Sequence, residues 1–186
     1  MTNSTEPATP ATGLPSEERE REALLEMLGG QRAAVHAILG GLSEAALRTP
    51  VVPSGWTPLG LVEHLTGAEL FWFQIVATGG PDPAPPPVEA AAEPTERWQP
   101  ERPFEADGPV DEVLAAYVEQ CRESDRVIRE SSLAMPPRLL PGWVPPEEVV
   151  DLRWIVLHLI EETARHAGHL DIARELLDGR TGLGPR

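Results

Sequence analysis

The chain has 186 residues, and its 30 acidic residues against 15 basic ones give a formal net charge of -15. So negative a surface repels nucleic-acid phosphates and anionic lipids, which argues against nucleic-acid and membrane partners. The length suits one domain with a substantial core.

Residues 1–15 are polar and rich in Thr, Ala and Pro, which predicts a disordered tail. They lack the basic start and apolar core of a signal peptide. No apolar run approaches the ~20 residues that a membrane span needs. Cys121 is the only cysteine, so neither an intramolecular disulfide nor a cysteine-rich zinc site is expected. Together these features predict a cytoplasmic protein.

Two amphipathic helices are predicted in the first half of the chain. The first begins at Ser16, a suitable N-cap, and its apolar stripe extends to about Leu42. Thr57 caps the second helix, where Pro58 occupies the first helical position. Gly79 and Gly80 then end it.

A Pro-rich segment without periodicity, residues 81–109, follows the second helix. Long loops of this kind are covers, crossovers or linkers, and the aromatic residues Trp98 and Phe104 favour more than a linker. A third helix is predicted from Val110 to Ser131.

The fourth predicted helix runs from Leu152 to Asp178, with Asp151 as its cap and Gly179 as its stop. Four helices with one long connection in the middle predict an all-α, four-helix bundle over residues 16–180, with a crossover between helices two and three.

The fourth helix carries four potential metal ligands. At about 100° per residue they fall within roughly 80° of arc, on one face of the helix. Such groups on an inward face are costly unless something binds them. His64, in helix two, is a fifth candidate, so the pattern predicts two helices that clamp one divalent metal. The four residues on helix four are His158, Glu162, His166 and His169.

Each of these residues also has an ordinary interpretation. Glu162 and His166, four residues apart, suit either a shared ion or a surface pair. His64 alone would be a hydrogen-bonded core residue. His169 fits a fourth ligand, an outer hydrogen-bond partner, an acid/base group or an exposed side chain, and His158 fits a cavity-lining or outer role. Mixed nitrogen and oxygen ligands suit zinc, nickel, iron or manganese, and spacing does not choose among them.

Two segments resemble the DinB-like superfamily of bacterial metalloenzymes, and most closely its actinobacterial branch. They are residues 55–65, GWTPLGLVEHL, and residues 158–169, HLIEETARHAGH. The resemblance covers residues 16–180 and implies an up-down-down-up order of the four helices. Its implied ligands are His64, Glu162 and His166. Many members have His where Glu162 stands, but the related metal-binding domain of mycothiol-dependent maleylpyruvate isomerase uses the same His, Glu, His set.

The resemblance also implies a function. Several relatives are transferases or isomerases that use a low-molecular-weight thiol, such as mycothiol, on a small electrophilic substrate. We therefore expect one divalent metal, preferably zinc, with mycothiol as a cosubstrate and with His169 and His158 as catalytic residues. Two alternatives stay open: a hydrolase that uses metal-bound water, and a non-catalytic bundle that binds a small molecule. A homodimer is compatible with each of these functions.

Overall fold

The computed structural model describes residues 16–80, 104–140, 142, 144–145 and 147–182. The predictions for the tail at residues 1–15, for Trp98 and for most of the Pro-rich segment fall outside these residues. Every regular element that the described residues form is helical, and they contain no strand. The all-α prediction is therefore confirmed.

The described residues form five α-helices and one π-helix, which directly continues the third α-helix. None of these helices is both long enough and apolar enough to cross a bilayer. Their bounds are α1 Ser16–Leu39, α2 Glu44–Leu47, α3 Pro58–Glu69, the π-helix Leu70–Ala77, α4 Val110–Glu130 and α5 Leu152–Asp178.

The ends of the two helices that carry the candidate ligands follow from local sequence. The Thr57 hydroxyl accepts a hydrogen bond from the Gly60 amide at 3.0 Å and caps α3. Asp151 accepts from the Trp154 amide, also at 3.0 Å, and caps α5. Gly179 ends α5 in the left-handed region at a φ of 76°, where a residue without Cβ is favoured.

Besides the π-helix, two local features differ from the sequence predictions. Helix α1 ends at Leu39 rather than Leu42, because Gly40 and Gly41 follow it and Gly41 has a φ of 79°. The short helix α2, capped by Ser43, was not predicted. Four residues are too few to produce a periodic pattern.

Helices α1 and α5 pack side by side and run in the same direction. Near their N-termini, Glu20 pairs with Arg153. Near their C-termini, Arg174 donates to the Ile38 carbonyl at 2.5 Å. Helix α3 lies against both α4 and α5. His64, on α3, therefore lies beside α5.

The core consists of two apolar clusters, one toward each end of the bundle. The first includes Leu28, Phe73 and Leu159, and the second includes Val35 and Leu65. A layer of buried polar side chains lies between them along the helices. These residues are Arg32 on α1, Glu69 on α3, Ser124 on α4 and Thr163 on α5.

Candidate metal centre

Three of the predicted ligands converge at this polar level, across the groove between α3 and α5. The ligand atoms of His64, Glu162 and His166 all lie within 4.8 Å of one another. The Nε2 atoms of His64 and His166 lie 3.1 Å and 3.0 Å from the same oxygen, Glu162 Oε1. The structure thus brings together one ligand from an upstream helix and two that are one helical turn apart.

The convergence has a simple structural origin. Glu162 and His166 are four residues apart on α5, so their side chains project from adjacent turns on one face. Helix α3 lies alongside and presents His64 to the same point. The side chains of His64, Glu162 and His166 are 29%, 16% and 11% exposed, so the cluster lies at the edge of the core rather than at its centre.

The donor set fits a divalent cation. Two imidazole nitrogens and one carboxylate oxygen are the His and Glu ligands of catalytic zinc sites, in which three protein ligands leave a position open. Hydrogen bonds from His166 and His64 hold the pKa of Glu162 well below its usual range, although burial acts in the opposite direction. Glu162 is therefore an ionised carboxylate at neutral pH.

The second oxygen of Glu162 has a more distant cationic neighbour. Arg165 Nη1 lies 3.5 Å from Glu162 Oε2, while Nη2 of the same guanidinium pairs with Glu161. Arg165 is 55% exposed, so it lies on the solvent side of the cluster. Arg165 therefore pairs with Glu161 and has an additional contact with the candidate metal centre.

His169 lies outside the three-residue cluster and contacts it through His166. The Nδ1 atoms of the two rings are 3.2 Å apart. One ring donates and the other accepts in this contact, and a His166 that binds a cation through Nε2 would carry its proton on Nδ1 and donate to His169. Burial, followed by the charge of His166, lowers the pKa of His169. The geometry matches the outer-shell partner that commonly orients a metal-binding histidine.

His158 is one turn before Glu162 and does not join the cluster. Its ring is stacked on Trp154 at 5.1 Å between centroids and 14° between planes, and Trp72 approaches it at 4.7 Å. Burial lowers the pKa of His158. The side chain is therefore a neutral imidazole in an aromatic environment next to the cluster.

Two further residues lie at the candidate metal centre: Phe104, expected from the sequence only to make its segment more than a linker, and Gly60, which had no expected role. Phe104 stacks on the His64 ring at 4.2 Å between centroids and 13° between planes. Gly60 makes this contact sterically possible, because a Cβ built there would lie 2.0 Å from the Phe104 carbonyl oxygen. A glycine in the first turn of a helix signals a close backbone approach, but the sequence does not show which segment approaches it.

Cys121 and His36 are also chemically versatile side chains, but neither joins the cluster. Burial, followed by the nearby Glu69 charge, raises the pKa of Cys121 to about 12, so the thiol is protonated and not a nucleophile at neutral pH. His36 contacts the Tyr117 ring at 5.5 Å between centroids, and it is not among the three residues that converge.

The chain matches the sequence model of the Mycothiol-S-transferase family over residues 23–179. It belongs to this family. The family lies within the DinB-like superfamily of metalloenzymes, so the relationship predicted from two short segments is confirmed. No curated protein sequence matches the chain. Membership of a family of mycothiol-related transferases supports the prediction of a thiol-using transferase.

Proposed function

We propose that the chain is a metal-dependent thiol S-transferase or isomerase that uses mycothiol in a reaction of a small electrophilic substrate. His64, Glu162 and His166 hold one divalent ion, with zinc preferred. The observation that carries this proposal is the convergence of two imidazole nitrogens and one carboxylate oxygen within 4.8 Å, in a member of the Mycothiol-S-transferase family.

A divalent ion bound here would stabilise the cosubstrate thiol in its reactive thiolate form near neutral pH. The side chains of the chain supply the remainder. The ionised Glu162 contributes the negative charge that favours a cation between the imidazoles. The partly buried position excludes some of the water that would otherwise compete for it.

The reaction also requires proton transfer. The thiol gives up its proton, its sulfur lone pair forms a bond to an electrophilic carbon, and the displaced electron pair leaves with a departing group or takes up a proton. We assign the proton-carrying role to His169, which is neutral and exposed and contacts His166. His158, enclosed by Trp72 and Trp154, lines the adjacent surface.

The parallel packing of α1 and α5 supports an up-down-down-up bundle over residues 16–180. A homodimer and a cytoplasmic location stay predictions, and neither is needed for the chemistry.

Metal analysis of protein purified without a His tag tests the first step. We expect one equivalent of a divalent metal in the unaltered chain and near zero in His166→Ala, with the helical circular dichroism retained. His36→Ala is the matched control, because this histidine lies on a helix away from the cluster, and it should keep full metal content. Full metal content in His166→Ala would overturn the ligand assignment.

An assay with and without added mycothiol tests the second step, with metal-loaded protein and a small electrophile such as a bimane reagent. We expect turnover only when the thiol is present. Metal-dependent turnover without a thiol would favour the hydrolase instead. Tight binding without turnover at full metal content would favour the non-catalytic bundle.

A further inference from the structure

Residues 104–108 cross the N-terminal end of α3 and form a segment, here called the latch, that is held by hydrogen bonds and by one buried side chain. The Thr57 amide donates to the Phe104 carbonyl at 3.0 Å. Arg48, which follows the short helix α2, donates to the carbonyls of Ala106 and Gly108, each at 2.7 Å. The Ala106 side chain is buried in one of the two apolar clusters.

The latch can lie this close to α3 only because residue 60 is glycine. A Cβ at Gly60 would be 2.0 Å from the Phe104 oxygen and 2.5 Å from the Glu105 nitrogen, distances that real Cβ atoms do not show. The obstacle is backbone rather than a flexible side chain, so a larger residue at position 60 must displace the latch.

The consequence of this docking is the position of one aromatic ring. Phe104 lies nearly parallel to His64, at 4.2 Å between centroids and 13° between planes. The same ring lies 6.3 Å from His166. Phe104 is 38% exposed, so burial in the core does not account for its position. It covers one face of His64, a residue of the candidate metal centre.

His64 and His166 are oriented by different means. His166 has His169 at its second ring nitrogen. No protein group in the described part of the chain hydrogen-bonds to Nδ1 of His64, whose ring contacts are with Glu162, His166 and Phe104. The flat face of Phe104 is therefore placed to orient the His64 ring, as a hydrogen-bond partner orients other metal-binding histidines.

We propose that Phe104 is a positioning residue that fixes the plane of the His64 imidazole for metal binding. Arg48 holds the latch that carries Phe104, and Gly60 leaves room for it. The inference rests on the proposed function, because it presumes that His64 is a ligand. An imidazole that binds a cation becomes electron-poor, and a phenyl face attracts positive charge. Phe104 thus favours the metal-bound state of His64 over the metal-free state.

Cobalt(II) is a suitable probe, since its visible absorption reports ligand geometry and its affinity follows from competition with a chelator. We expect Phe104→Ala to weaken cobalt affinity by about 10–100-fold, the range seen when outer partners of metal ligands are removed, and to change the visible spectrum. Phe104→Tyr keeps the flat ring and should restore both. Phe104→Leu keeps apolar volume without the ring and should resemble Phe104→Ala.

Two further variants separate positioning from general stability. Leu157→Ala, which removes an exposed side chain from the helix that carries Glu162, should leave cobalt affinity unchanged. Gly60→Ala leaves Phe104 intact but displaces the latch, and it should reproduce the Phe104→Ala spectrum. If Gly60→Ala does not fold, the Phe104 series alone decides the question.

The results distinguish this inference from the proposed function. An unaltered chain that binds cobalt tightly, together with equal affinity and spectrum in Phe104→Ala, would overturn the positioning role alone. Equal affinity in Phe104→Leu and the unaltered chain would overturn the requirement for a flat ring. Failure of the unaltered chain to bind cobalt would overturn the metal centre and, with it, this inference.

Discussion

Glu69 lies within the buried polar layer and Glu162 lies at its edge, and the two carboxylates differ in their partners. Both oxygens of Glu69 accept from the Arg32 guanidinium at 2.7 Å, and Arg32 also donates to Asp125 at 2.6 Å. Glu162 instead has two imidazole nitrogens against a single oxygen. Glu69 is therefore paired with a cation that keeps its charge, whereas the partners of Glu162 are imidazoles, which can lose a proton.

The comparison shows how partner chemistry decides the role of a buried acid. An arginine stays protonated in proteins, so the Arg32–Glu69 pair cannot exchange its charge for a metal. A histidine can lose its proton and offer a lone pair, so a metal can replace the protons around Glu162. We therefore interpret the Arg32 cluster as structural and the His64, Glu162 and His166 cluster as functional. Four predictions test this division.

The largest expected effect comes from breaking the structural pair. Arg32→Met leaves Glu69, which is 1% exposed, as a buried carboxylate without its cation. Removing one member of a buried pair costs about 3–5 kcal/mol, which urea denaturation followed by circular dichroism would measure. Arg126→Met is the matched control, because Arg126 forms exposed pairs on α4, and exposed pairs contribute about 0–1 kcal/mol.

The double variant Arg32→Met with Glu69→Leu sharpens this result. Replacing both members by apolar residues of similar size is often close to neutral, so much of the lost stability should return. A single Arg32→Met variant as stable as Arg126→Met would show that the pair does not hold the layer together.

The second prediction concerns activity rather than stability. His169→Gln removes the acid/base group but leaves a side chain that can still hydrogen-bond to His166. Turnover in the thiol assay should fall by roughly 10²–10⁴, as for a lost general acid or base, while metal content stays nearly intact. Loss of the metal in this variant would instead identify His169 as a ligand.

Much of the fold was predictable, because the helix ends depend on neighbouring residues. Thr57 with Pro58, Asp151 and Gly179 each act within a few residues of their own positions. The spacing of Glu162 and His166 likewise placed them on one face before any tertiary contact was known. Family resemblance, rather than spacing, selected His64 as the third ligand.

The remaining features depend on contacts between distant parts of the chain. Arg32 and Glu69 are 37 residues apart, and neither has a local pattern that distinguishes it from an exposed helix residue. Phe104 and His64 come from segments with no periodic relationship. The π-helix Leu70–Ala77 directly follows the buried Glu69, and its residues alone gave no signal of a widened turn.

The third prediction uses His158, whose pKa is lowered by burial. A histidine with a lower pKa in the folded state binds protons more readily when unfolded. Its contribution is therefore present above the unfolded pKa, near 6.5, and is lost as pH falls through the folded pKa. Stability of the chelated protein should decline from pH 7 to pH 5, and this decline should be shallower in His158→Phe.

Urea midpoints at several pH values, measured in chelator so that metal loss does not contribute, would provide the two slopes. His36→Phe is the control variant, because it makes the same replacement on α1, away from Trp72 and Trp154. Equal slopes for His158→Phe and the unaltered chain would show that the aromatic environment of Trp72 and Trp154 does not disfavour the protonated imidazole.

The smallest expected effect is that of metal removal on the fold. The two apolar clusters lie on either side of the polar layer, and the candidate ligands lie at its edge, with His64 29% exposed. Metal binding should therefore add stability by mass action, as a raised unfolding temperature, without being required for helix formation. A chelator should lower that temperature and leave the far-UV circular dichroism at 25 °C unchanged, whereas a structural zinc domain would unfold. Loss of the helical signal on chelation would show that the His64, Glu162 and His166 cluster is a structural element, like the Arg32 cluster. The distinction between a structural and a functional cluster would then be wrong.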